Sequence, residues 1–473
     1  MTFARSCVLA FCCTGLLAAV APRLGPGPRV APRIVVQPAV ASSAAKEVDH
    51  SIEPDDHTAQ PDNSAKQAYT LPPDKLAKAI ALSRIRDILD LVGTLWGLAV
   101  LGLLLATRAA AGLEDWARRA SRYRWLQGLL FFAAFLVVIT LANLPLDAFG
   151  HHVSMGYGIS VQGWASWLGD QGKALGLAVT IGAPVLLLFN WIVRRWPRRY
   201  WLGAWVVTLP LLMLSVFVSP LIETIFNQYE PLARNHPALV AELEKVVART
   251  GTKIPPERMF LMKASVKTNG LNAYVSGLGV TKRIVVWDTT AGRIPNDEVQ
   301  FIFGHESGHY VLHHILKGLV LSAFALFFVY WACARLAAWL ARRFGSRWQL
   351  GKFEDRQDNG TELLASRAGF VVLFFVLSVA GFVLAPVDNT VSRYFEHEAD
   401  VYGQEAIHGI VADPQKTAVA AFNALGGAWL EDPNPSPFIE FWTYDHPSVQ
   451  TRANFALHYD PWATGGHGEF FSK

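Results

Sequence analysis

His305–Ala334 reads HESGHYVLHHILKGLVLSAFALFFVYWACA. The first five residues place two histidines four apart with a glutamate between them. On a helix, positions i and i+4 share a face, so both imidazoles can reach one metal ion with Glu306 beside it. From Gly318 to Ala334 the chain then turns apolar and carries no charge. Such a run approaches the roughly 20 residues that cross a bilayer core. A metal-ligand motif set directly against a membrane span decides how the rest of the chain is read.

Working outward, five more apolar blocks lie at approximately Ile88–Thr107, Gly128–Leu146, Ala174–Val193, Leu202–Val218 and Ala368–Val387. Each lacks a central charge, and within lipid a segment of this kind satisfies its backbone as a helix. The expected fold is mainly α, a polytopic transmembrane helical bundle. It carries a zincin-like metalloprotease insert with a small β-hairpin or sheet. Composition agrees: 52% of the 473 residues are hydrophobic and only 17% charged, against about 25% charged in soluble domains. The net charge of +4 gives no reason to expect a nucleic-acid partner. Cys7, Cys12, Cys13 and Cys333 all lie in apolar runs, which excludes a disulfide scaffold and a cysteine zinc site.

Residues 1–21 read as a signal peptide or N-terminal anchor, and 22–68, rich in Pro, Ala, Val and Asp, as a disordered linker. Residues 69–218 form an expected membrane domain of four helices. Residues 219–473 form the protease domain, which includes the spans near 318–334 and 368–387. Within it Leu239–Thr250 has helical spacing, and Asn272–Val275 and Arg283–Trp287 read as two strands joined at Ser276-Gly277-Leu278-Gly279. Pro295-Asn296-Asp297-Glu298 reads as a helix start. His151-His152 reads as a solvated loop doublet.

Basic residues fall in alternate short loops. Arg108, Arg118, Arg119, Arg122 and Arg124 form one group, and Arg194, Arg195, Arg198 and Arg199 a second. Arg335, Arg342, Arg343, Arg347, Lys352, Arg356 and Arg367 form a third, while the loop at 147–173 has only Lys173. Positive loops stay cytoplasmic. The insert and tail are therefore expected on the opposite face, in a multi-pass protein of a bacterial inner membrane.

HExxH is short enough to arise by chance in roughly 2% of chains of this length, so a second constellation has to decide. A catalytic zinc takes three protein ligands and keeps one position open. Glu396-His397-Glu398-Ala399-Asp400 places Glu396 and Asp400 four apart. Glu396 can complete a His305, His309, Glu396 set, and Asp400 can hold a ligand histidine by its other ring nitrogen. His309 lies nine residues before Gly318 and Glu396 nine after Val387, so a hairpin of two spans returns both motifs to one membrane face. His313 and His314 follow too soon to replace Glu396, and His397 and Glu398 point away from it.

With these motifs and several others, the chain resembles the CAAX prenyl protease type I family of integral-membrane zinc metalloproteases, with HtpX more distant. The marks are Tyr69-Thr70-Leu71-Pro72-Pro73, Tyr157-Gly158-Ile159-Ser160, Phe226 to Leu232, Asn272-Ala273-Tyr274, His305 to His309 followed by His314, Ser392 to Asp400, and His446-Pro447-Ser448 with Arg452. The resemblance implies one Zn2+ per chain and an endopeptidase in which Glu306 activates the metal-bound water. It implies that His446 stabilises the oxyanion, and that Asn272, Ala273 and Tyr274 pair with the backbone of a peptide or membrane-protein substrate. Two competing readings are a catalytically silent binding or scaffold protein of the same fold, and a transporter. An intact Glu306 speaks against the first, and the absence of central ionisable residues in the spans speaks against the second.

Overall fold

The computed structural model describes residues 68–351, 360–463 and 465–471. The segment expected as signal or anchor (1–21) and the expected linker, apart from Ala68, lie outside the described residues.

The chain opens with α1 (Pro73–Ala106), α2 (Ala109–Ala120) and α3 (Arg124–Gly156). Next, α4 (Trp164–Leu177) runs through a π turn at Ala178–Gly182 into α5 (Ala183–Arg195), and α6 (Tyr200–Phe226) follows. The polar insert holds β1 (Tyr229–Pro231), α7 (Pro237–Thr250), β2 (Met259–Met262), β3 (Ala273–Ser276), β4 (Arg283–Trp287) and α8 (Asn296–Val311). The remainder is α9 (His314–Phe344), α10 (Arg367–Ile407), α11 (Pro414–Trp429), α12 (Pro437–Thr443) and α13 (Val449–His458).

Among the described residues six helices are long and apolar enough to cross a membrane: α1, α3, the α4–α5 unit, α6, α9 and α10. All six run past at least one expected limit, the first starting at Pro73 rather than Ile88. The third starts at Trp164 rather than Ala174, and the sixth does not stop at Val387 but continues as one helix to Ile407. Beyond Val387 one stripe of α10 stays buried, with Asn389, Ser392, Glu396, Asp400, Gln404 and Glu405 all inside. Protein partners replace lipid around that stripe, so the helix has no reason to end at the apolar boundary. His151-His152 also departs from expectation, because it lies inside α3. His151 is buried and stacks on Trp167 at 5.1 Å, so aromatic packing rather than solvent surrounds it.

Two cores result. The membrane core is built on aromatic contacts between α3 and α10: Phe132 meets Phe370 at 5.4 Å and Phe135 stacks on Phe374 at 5.3 Å. Such pairs contribute about 0.5–1.5 kcal/mol each beyond the area they bury. The second core gathers Leu239 and Leu243 of α7, the inner faces of β2 and β4, Phe301 of α8 and Phe422 of α11. Tyr69 joins it, fully buried, with its backbone N–H donating to Gln450.

The sheet has the order β1-β2-β4-β3, with β3 antiparallel to β4 and at the edge. The expected β3/β4 hairpin is present. β1 and β2 were not foreseen, since strands of three and four residues carry almost no pattern; β2 runs parallel to β4.

The sheet and α8 rest beside α10, and glycine sets how close the helices come. A Cβ on Gly403 would lie 2.7 Å from His305 N, and one on Gly304 would lie 3.0 Å from the Gly403 carbonyl. Only residues without a side chain allow this approach, which sets the two motif-bearing helices against each other.

Candidate active site

α8 begins after Pro295 with Asp297 in its first turn, where negative charge complements the helix N-terminus. It presents His305 and His309 one turn apart toward α10, and α10 presents Glu396 toward them. The His305 and His309 Nε2 atoms are 3.1 Å apart. Glu396 Oε2 is 3.3 Å from His305 Nε2, and its Oε1 is 3.6 Å from His309 Nε2. All three side chains are buried, and their ligand atoms lie within 4.8 Å of one another.

This donor set fits a divalent ion of zinc type. Two imidazole nitrogens and one carboxylate oxygen converge, which is the ligand chemistry of catalytic zinc. Glu396 Oε2 is buried without a hydrogen bond of good geometry, an arrangement that costs stability unless a cation completes it.

Asp400, one turn beyond Glu396, places Oδ1 2.8 Å from His305 Nδ1. Its carboxylate also accepts two bonds from Arg452 of α13, from Nε at 2.9 Å and Nη2 at 2.6 Å. Burial would lower the His305 pKa, but Asp400 and Glu396 outweigh it and carry the imidazole up to about 9. His309 lies well below its ordinary value because it is buried, so it is a neutral imidazole with a lone pair to share. Burial also holds the Glu306 carboxyl above its usual range, with His305 beside it pulling the other way. That is the direction a proton acceptor working near neutrality requires.

His446, on the loop between α12 and α13, reaches the same place. Its Nε2 is 3.3 Å from Glu396 Oε2, and Asp445 Oδ1 stands 2.9 Å from its Nδ1. Asp445 thereby fixes which ring nitrogen faces the site.

Asn272, Ala273 and Tyr274 fall at and inside the edge strand. The Trp287 N–H donates to the Asn272 carbonyl. By the alternation of antiparallel pairing, Ala273 and Val275 therefore turn their N–H and C=O groups away from β4, toward the open edge. The Val275 backbone amide faces the Glu306 carboxylate, and Tyr310 OH donates to the Gly277 carbonyl at 2.7 Å. The strand edge thus lies along the helix that carries Glu306. The Tyr274 side chain points elsewhere, into a cluster with Glu223 and Tyr229.

The structure therefore brings together His305, Glu306, His309, Glu396, Asp400, His446 and the edge of β3. Sequence reasoning missed Val275, Asp445, Tyr310 and the pair His314 and Glu398, and it assigned no role to Arg452. The reading of Asn272–Val275 as a strand was the signal for Val275, because backbone groups two residues apart on a strand face the same way.

Comparison with known proteins follows the same lines. Residues 233–460 match the profile of peptidase family M48, and residues 56–228 match that of the CAAX prenyl protease N-terminal region, described as five membrane helices. An uncharacterized metalloprotease of Bacillus subtilis is 32% identical over 83% of this chain and 88% of its own length. CAAX prenyl protease 1 of Saccharomyces cerevisiae is 26% identical over 69% of this chain and 71% of its own. The crystal structure of S. mikatae Ste24p superposes with a TM-score of 0.67 at 23% identity, over 82% of this chain and 91% of that one. It shares the fold.

Proposed function

The chain belongs to peptidase family M48, an integral multi-pass membrane metalloprotease that acts on peptides, and on that premise we propose that it is a zinc endopeptidase with Glu306 as its general base. The observation that carries this reading is the convergence of His305, His309 and Glu396 within 4.8 Å in a buried place, with Glu306 on the intervening turn.

A zinc ion held by His305 Nε2, His309 Nε2 and Glu396 would supply Lewis acidity toward the scissile carbonyl and the attacking water. The chain's own groups do the rest. The outward N–H and C=O groups of Ala273 can pair with an extended substrate backbone, the strand-addition mode of peptide recognition, with Val275 continuing that edge beside Glu306 and Tyr310. Glu306 takes the proton of the attacking water and returns it to the departing amine. His446, whose Nδ1–H is held by Asp445, turns Nε2 toward the site and as the imidazolium donates from it to the oxygen on which negative charge develops.

The charge of the short loops supports a site facing away from the cytoplasm of a bacterial inner membrane. Relatives named CAAX prenyl proteases suggest cleavage near a peptide's C-terminus; clearance of membrane proteins is the other use such a site would serve. On the non-cytoplasmic face, prenylated cytosolic proteins would not be the natural substrates.

The test is cleavage of quenched fluorescent peptides by detergent-purified protein, comparing wild type with Glu306→Ala and quantifying metal in both. Activity lost in the variant with one zinc per chain retained supports the reading. Equal activity in the two proteins refutes the role of Glu306.

A further inference from the structure

His309 also has an outer support, and it comes from residues that neither a metal motif nor helical spacing would select. His313 adopts a left-handed backbone with φ 58°, which closes α8 and turns the chain into α9. That single residue sends His314 back toward the site. His314 Nδ1 stands 3.0 Å from His309 Nδ1, and His314 Nε2 stands 3.1 Å from Glu398 Oε2. His314 is fully buried and stacked on Phe395 at 4.6 Å with an interplanar angle of 13°. Glu398 is anchored in turn by the Tyr394 hydroxyl at 3.3 Å and by Lys317 at 3.7 Å.

The donor order follows from the outermost member. A carboxylate only accepts, so the Nε2 of a neutral His314 carries the hydrogen that Glu398 receives. His314 Nδ1 is then an acceptor, and the hydrogen in the 3.0 Å contact belongs to His309 Nδ1. His309 Nε2 is left with its lone pair, on the side where His305 and Glu396 converge. Asp400 does the same for His305 directly, and both carboxylates, Asp400 and Glu398, are carried by α10.

We propose that His314 and Glu398 form a hydrogen-bonded relay that fixes the tautomer and ring orientation of His309 as a metal ligand. They are positioning residues, and the inference rests on the zinc-site reading above. Outer partners of this kind change metal affinity by about 10–100-fold when removed.

The experiment measures zinc affinity by chelator competition and the visible absorption of the cobalt-substituted protein, on the purified full chain. Wild type is compared with His314→Phe, Glu398→Leu and Glu398→Gln, and melting of each metal-stripped protein serves as the folding check. His314→Phe and Glu398→Leu are expected to weaken zinc by about 10–100-fold and to alter the cobalt spectrum. Glu398→Gln, whose amide oxygen still accepts from Nε2, is expected to stay within about threefold of wild type. Wild-type affinity and an unchanged cobalt spectrum in His314→Phe would overturn the relay. So would equal losses in Glu398→Gln and Glu398→Leu. If His314→Phe does not fold, the two Glu398 variants decide the matter alone, because that side chain is partly exposed. A wild-type chain that binds no metal would instead overturn the zinc-site reading, so the two failures are distinct.

Discussion

Gly403→Ala sets two physical effects against each other, and the structure decides the sign. On helix propensity alone, alanine in the interior of α10 would stabilise by about 1 kcal/mol. The geometry opposes this. A Cβ at residue 403 lies 2.7 Å from His305 N, 2.9 Å from its Cα and 3.1 Å from its Cβ. The first contact is about 0.7 Å inside the 3.4 Å at which ordinary contact begins, and the atoms opposite cannot rotate away. The helices have to part. Overpacking of this kind costs about 1–3 kcal/mol, so the net effect is a loss of about 0–2 kcal/mol. The site suffers more than the fold. His305 comes from α8 and Glu396 from α10, and metal–ligand distances hold to about ±0.2 Å. A separation several times larger is expected to weaken zinc on the order of tenfold or more. Chelator competition and thermal melting of the metal-stripped protein measure the two parts. Gly176→Ala is the comparison, being helical with nothing within 4 Å of the added Cβ. If Gly403→Ala binds zinc like wild type and melts no lower than Gly176→Ala, the close helix contact does not set the site.

Three further outcomes are expected. Asp400→Asn removes the carboxylate that holds His305 and leaves the half-buried Arg452 without its bidentate partner; zinc affinity should fall about 10–100-fold, and equilibrium dialysis showing no change would contradict this. Glu298 has a pKa raised from 4.5 to about 7, first by burial and then by Asp297. The folded pKa exceeds the unfolded one, so its stabilisation is complete below about pH 4.5 and is lost as pH rises through about 7. Glu298→Gln should therefore raise the melting temperature at pH 8 and leave it almost unchanged at pH 4.5. After discounting for partial exposure, the gain is on the order of 1 kcal/mol. Ending the chain at His467 removes the backbone N–H groups of Glu469, Phe470 and Phe471 from the buried Glu405 carboxylate. Among the described residues, the Tyr459 hydroxyl is then the one hydrogen-bond donor left to it; a loss of about 3 kcal/mol or more in denaturant stability is expected.

The membrane architecture was legible because it rests on long signals. Six apolar blocks each exceed what chance gathers, and their expected centres fall within the six long helices. Ligand pairs at i and i+4 were legible for the same kind of reason, since His305/His309 and Glu396/Asp400 each sit on a single helix whose period is known. Helix ends were less legible. Nothing in the composition after Val387 says that Asn389, Ser392 and Glu396 will be covered by protein, so the apolar boundary looked like the end of α10. Two short strands left no pattern to read. His314 was hidden by one backbone angle: five residues from His309, it lies off the helical face until the left-handed His313 turns it back. Glu398 was hidden for a related reason. It does point away from Glu396, but toward His314, a residue from another helix, and only the fold brings those two side chains together.

The central claim is that His305, His309 and Glu396 together hold one zinc ion. Zinc K-edge absorption spectroscopy of the purified full chain, with metal content measured alongside, tests it most directly. The account predicts one zinc per chain, two imidazole nitrogens at about 2.0–2.1 Å with the remaining ligands oxygen, and loss of bound zinc in Glu396→Ala. Zinc bound through sulfur, a site with a single imidazole, or full zinc content retained in Glu396→Ala would contradict it.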